Sequence, residues 1–215
     1  MTRSASDFVI GALGWDHAGW QGRYYPDDLP EEWRLSYYAN DFAAVLLPWL
    51  FWADASQQRL AAWLDDVHAR FRFFLEVREP ERNLGELKQR LSRLLPATGG
   101  LLFDPSCSAD LVDRLLDGVQ NAPPCYFPVV PPEVGLAVGQ CWGRATDAAE
   151  SRIVLLDSAS SADLRKMRGL LESLVATPPD TPPDTAPSGL FFRGDPPDTE
   201  LMGEVKILSQ LMGLA

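Results

Sequence analysis

His17, Glu76, Asp104 and Asp157 have the side-chain types and the positions to move protons. The three carboxylates lie within or just past apolar, β-branched runs, where a strand would carry them to one edge of a sheet, and His17 sits a few residues beyond such a run. Asp104 and Asp157 could divide acid and base roles if burial raised the pKa of one of them. The favoured reading of both is helix capping or loop support. Asp104 precedes Pro105 and Ser106, and Asp157 precedes Ser158 and Ser160, positions where a carboxylate satisfies free amides. His17 beside Asp16 is a lone hydrogen-bonding or general-base candidate. A metal site from Asp16, His17 and either Glu76 or Asp104 is disfavoured, because adjacent loop residues chelate one ion poorly and His68 belongs to a helical run. No metal and no cofactor is expected. Cys107 has no evident base to activate it. Cys107, Cys125 and Cys141 are odd in number and widely spaced, which suits buried thiols rather than a disulfide framework.

Aromatic residues crowd the first quarter of the chain. Trp15, Trp20, Tyr25, Trp49 and Trp52, joined by Arg78 and Arg193, form the candidate ligand or partner pocket. Rings at a pocket mouth suit stacking or a protein interface. The competing reading is that they pack the first two structural units.

The elements that must position these residues follow from periodicity. Strands are expected at residues 7–13, 42–47, 72–77, 100–104, 125–130, 136–141, 152–157 and 189–193. Leucines at helical spacing mark amphipathic helices after most of them, including 84–95, 111–119, 164–174 and 201–211. Pro30 opens another helix with Glu31 and Glu32 in its first turn. Asp54 and Ser56 are plausible caps ahead of the run Leu60 to Phe71. Eight strands alternating with helices imply parallel pairing and a closed TIM-barrel-like α/β fold, with the fifth and sixth units reduced. An open doubly wound sheet is the alternative. Residues 1–215 are expected to form one domain, in which the proline-rich stretch 177–187 is a spacer that neither helix nor central strand can include.

The segment Gly11 to Pro26 reads GALGWDHAGWQGRYYP. It resembles the opening of the YecE-like family (domain of unknown function 72), which commonly reads GTSGWxYxxWxGxFYP. Gly11, Gly14, Trp15, Trp20, Gly22, Tyr25 and Pro26 match. Tyr37, Tyr38, Ala39, Phe42 and Val45 then fit the family's YYAxxFxxV. The resemblance covers roughly residues 1–55 and thins beyond. It implies a TIM-barrel-like fold and brings no established reaction. The departures concern polar residues. The family's acidic residue ending the second strand is Leu46, and its asparagine two positions later is Pro48. Its tyrosine after the first Gly-Trp is His17. Its lysine near the end of strand three falls at Glu76 or Arg78, and its strand-four glutamine falls near Phe103. Its late Arg-Leu-His-Gly segment falls at 156–159 or is absent, and its terminal Asn-Asn pair falls near Arg193 and Gly194. A leucine in place of a carboxylate cannot accept a proton or hold a hydroxyl, so the site this resemblance would supply is stripped.

The net charge of −11 repels phosphate backbones, so nucleic acid is an unexpected partner. No apolar run is long enough to span a bilayer and no cationic-then-apolar leader opens the chain, so a cytoplasmic protein with no membrane contact is expected. The reading that follows is a divergent YecE-like barrel with a non-catalytic binding or protein-interaction role, through an unidentified protein partner or self-association. The alternative is an enzyme of hydrolytic or acid/base chemistry, its site rebuilt at the C-terminal ends of the strands.

Overall fold

The computed structural model describes residues 8–78, 84–133, 136, 138–144, 151–158, 163–175 and 186–214. Its elements run β1 (Phe8–Ala12), α1 (Arg34–Asp41), β2 (Ala44–Leu47), α2 (Trp49–Ala53), α3 (Gln57–Asp65), β3 (Arg72–Val77), α4 (Leu84–Leu94), β4 (Thr98–Phe103) and α5 (Ala109–Leu116), then β5 (Cys125–Pro128), β6 (Val138–Arg144), β7 (Arg152–Asp157), α6 (Leu164–Val175), β8 (Ser188–Arg193) and α7 (Thr199–Leu211). The expected eight-strand, TIM-barrel-like α/β architecture is borne out. Most of the proline-rich stretch, residues 177–185, lies outside the described residues, as does Ser160.

The sheet order is β1-β8-β7-β6-β5-β4-β3-β2. Its two end strands meet at a bridge between Leu13 and Leu46, where the Gly14 amide donates to the Leu46 carbonyl at 2.8 Å, so the barrel is nearly closed. Below that bridge the seam is held by a side chain. The Tyr38 hydroxyl accepts from the Ala12 amide at 2.8 Å and donates to the Ala44 carbonyl at 2.9 Å.

Strand direction departs from expectation at one place. β6 runs antiparallel to both β5 and β7, while the other pairs are parallel. The cause is chain length. Residues 129–137 and 145–151 are the links on either side of β6, and a parallel crossover needs roughly a dozen or more. The reduced fifth and sixth units are therefore two hairpin connections.

Two apolar layers result from strand alternation. Outward residues such as Val45, Phe73, Leu75 and Phe103 pack under the helices. Inward residues, including Leu46, Phe74, Leu102, Trp142, Leu155 and Phe191, fill the barrel. Gly11 belongs to the inward set, and a Cβ there would lie 2.1 Å from the Ala44 carbonyl oxygen. The caps form largely as the residues dictate. The Ser56 hydroxyl accepts from the Arg59 amide, the Ser108 hydroxyl from the Leu111 amide, and the Asp198 carboxylate from the Glu200 and Leu201 amides. The helix after Pro30 starts with a 3-10 turn at Glu31–Trp33, and the short α2 was not visible in the apolar spacing. Among the described residues, no helix is long and apolar enough to cross a membrane.

Candidate functional site

At the mouth of the barrel, β3 delivers Glu76 and Arg78, and β4 delivers Asp104. The Arg78 guanidinium lies 3.8 Å from the Glu76 carboxylate and 4.0 Å from that of Asp104, so the three form one cluster. The two acids sit in different environments. Burial raises the pKa of Glu76; the Trp49 amide and Arg78 oppose the shift and the Asp104 charge adds to it. Asp104 is held below the usual carboxylate range by the Ser106 amide at 3.0 Å and the Ser106 hydroxyl at 2.7 Å. Asp104 thus props its own loop while facing the cluster. Around α2, the Trp49 amide donates to the Glu76 carboxylate at 3.3 Å, and the Trp52 indole donates to the Glu76 carbonyl at 2.8 Å.

Little space remains there. Leu102, Gln140 and Trp142 leave a cavity of only about 10 Å³ beside the cluster, enough for one water at most. Leu46 is fully buried inside the barrel, and Pro48 begins α2 just beyond it. Asp157 and Arg193 occupy the opposite side of the mouth as register partners on β7 and β8. The Arg193 guanidinium lies over Gly139 of β6, where an added Cβ would come within 2.9 Å of it.

His17 belongs to a separate neighbourhood. Its Nε2 lies 2.9 Å from the Leu13 carbonyl and its ring meets Trp20 edge-on at 4.5 Å. Burial lowers its pKa, against the Leu13 and Gly14 carbonyls and the Asp16 and Asp195 charges. The structure thus gathers Glu76, Arg78 and Asp104, and sets His17 and the Asp157–Arg193 pair apart from them. Among the described residues, no group of three or more His, Cys, Asp or Glu could hold a metal ion.

The larger opening lies elsewhere. A groove of about 930 Å³ runs down the outside of the barrel between α1 and α7, starting at the loops after β1 and β8. Trp20 forms part of its floor, and its indole donates to the Pro197 carbonyl at 2.7 Å, tying the two loops together. Tyr24, Tyr37 and Phe42 add further rings. The Tyr24 hydroxyl is buried beside the Asp41 carboxylate without a hydrogen bond of good geometry, and burial, followed by the Asp41 charge, pushes its pKa up.

Residues 9–89 match the model of the family described as protein of unknown function DUF72. This stretch, under half of the chain, is similar to that family. The resemblance read from Gly11 to Pro26 is therefore borne out. No curated protein matches the chain in sequence. A DUF72 family protein from Thermotoga maritima MSB8 superposes with a TM-score of 0.62 at 12% identity, covering 95% of this chain and 99% of that one. A DUF72 family protein from Enterococcus faecalis V583 superposes at 0.56 with 11% identity, covering 98% and 99%, and a second structure of a DUF72 family protein from that organism at 0.52. At such identities the likeness speaks for the fold.

Within the DUF72 segment, the motif residues build structure. Trp15 packs edge-on against Phe51 and Trp63, and the Tyr25 hydroxyl donates to the Trp15 carbonyl at 2.6 Å. Both lie in the layer between helices and barrel. They line neither opening, although their composition reads as a pocket wall. Trp20 alone of the proposed aromatic set reaches the groove. Asp41 and Lys206 of the groove carry no local signal; they meet only because α7 returns beside α1.

Proposed function

We propose that this chain is a non-catalytic binding barrel, working on a protein partner and not on nucleic acid. What carries the reading is the 10 Å³ left beside Glu76 and Asp104. Glu76 is largely buried, with 13% of its side chain exposed, and the space beside it is too small for a substrate, although Asp104 keeps 29% of its side chain open to solvent. The chain buries leucine at 46, where the family resemblance would put an acid, inside an apolar barrel filling. The net charge of −11 supports the exclusion of phosphate-rich partners.

One observation favours a rebuilt enzyme site instead. Glu76 is shifted up and Asp104 down around one guanidinium, the separation that acid/base pairs use. The two readings part in one experiment. The protein is incubated with p-nitrophenyl esters, glycosides and phosphates, beside Glu76→Gln and Asp104→Asn. Background rates for all three proteins agree with the binding reading. Turnover by the unaltered chain that Glu76→Gln abolishes would overturn it.

A further inference from the structure

We propose that the groove between α1 and α7 receives an extended basic segment of a partner protein, with Arg or Lys side chains set between its rings and its carboxylates. The proposal rests on the binding-protein reading and names the partner's chemistry.

Four acidic residues, Asp41, Asp195, Asp198 and Glu200, line the groove against two cations, Arg23 and Lys206. Asp198 is spent on the α7 amino terminus, where its carboxylate accepts from the Glu200 and Leu201 amides. Among the described residues, no ion pair joins Asp41, Asp195 or Glu200 to a cation. The wall already shows how it receives a positive charge. The Lys206 ammonium donates to the Asp41 carbonyl at the end of α1 and lies 5.9 Å from the centre of the Phe42 ring. A helix carboxyl end, a carboxylate and ring faces together favour cations.

The Tyr24 hydroxyl adds a separate requirement. It is a buried polar atom that makes no hydrogen bond of good geometry and faces the Asp41 carboxylate, and such a group gains by meeting a better partner. A guanidinium alone cannot accept its proton, but it can donate to the hydroxyl oxygen, and a peptide carbonyl can accept from it.

Length argues for a peptide. The groove follows α7 from Thr199 to Gln210, about 16 Å at roughly 1.5 Å per helical residue. An extended chain covers that distance in about five residues. A small diamine would occupy a fraction of the 930 Å³. On the groove wall, Ile207 is 58% exposed and offers apolar contact to the same segment.

The test is fluorescence anisotropy with a short labelled peptide alternating Arg and Ala, its Glu-for-Arg counterpart, and spermidine as competitor. Because the whole chain is acidic, the groove variant Asp41→Asn with Glu200→Gln is paired with Asp65→Asn and Asp113→Asn, exposed positions on α3 and α5 that remove the same charge. The proposal expects binding of the Arg peptide only, weakened about tenfold in the groove variant and less than about twofold in the control. Tyr24→Phe, which keeps the ring, is expected to weaken binding without lowering stability. No binding, equal loss in both charge variants, or spermidine binding more tightly than the peptide would overturn it. None of these results touches the barrel-mouth reading, which stands or falls on turnover.

Discussion

The Tyr38 hydroxyl accepts a hydrogen bond from the Ala12 amide across the seam between β1 and β2. It passes its own proton to the Ala44 carbonyl, so one phenol stands in for ladder bonds the two strands do not make there. Tyr38→Phe keeps the ring and leaves a buried amide and a buried carbonyl without partners. The expected loss is about 2–4 kcal/mol, read as a lower urea midpoint with an unchanged slope.

Gly11 marks the closest approach at the same seam. With the Ala44 carbonyl 2.1 Å from where a Cβ would sit, the strands cross this seam too closely for any side chain. Gly11→Ala must push β1 from β2 and is expected to cost about 3 kcal/mol. Thermal unfolding followed by circular dichroism checks this, and Gly203→Ala on α7, which meets nothing within 4 Å, should show no loss.

Glu76 makes stability depend on pH. Burial raises its folded-state pKa, so the folded chain holds this proton more tightly than the unfolded one. Its contribution is fully present below the unfolded value and is lost as pH rises through the folded one. Glu76→Gln, which can still accept from the Trp49 amide, is therefore expected to be more stable than the unaltered chain at neutral pH. The advantage should vanish below about pH 4, where an unperturbed glutamate is protonated. Urea midpoints across that range read the crossing.

Asp198 caps α7 through two amides. Asp198→Ala should cost about 1 kcal/mol, visible as earlier hydrogen exchange of the first turn of α7. The loss of its negative charge should also lower affinity for the basic peptide slightly, without abolishing it.

Much of this architecture was legible locally. The Leu84–Leu94 and Leu164–Val175 helices announce themselves because one apolar face repeats every three or four residues. Ser56 and Ser108 cap helices because their hydroxyls reach amides within their own turn. The reversal of β6 could have been taken from the short links at 129–137 and 145–151, since chain length limits which way a strand can return. The candidate mouth residues were legible as strand ends; their grouping was not, because Arg78 chooses among carboxylates through space.

The amino-acid order alone determined the strand-and-helix alternation, the fold class and the DUF72 likeness, all of which depend on neighbours within a few residues. Tertiary structure alone decided that Leu102 and Trp142 leave little space beside Glu76, and that Trp20 meets Pro197, 177 residues away. The physical reason is that a cavity is whatever packing leaves unfilled, and the side chains that fill or spare it come from segments whose separation along the chain says nothing of their distance in space.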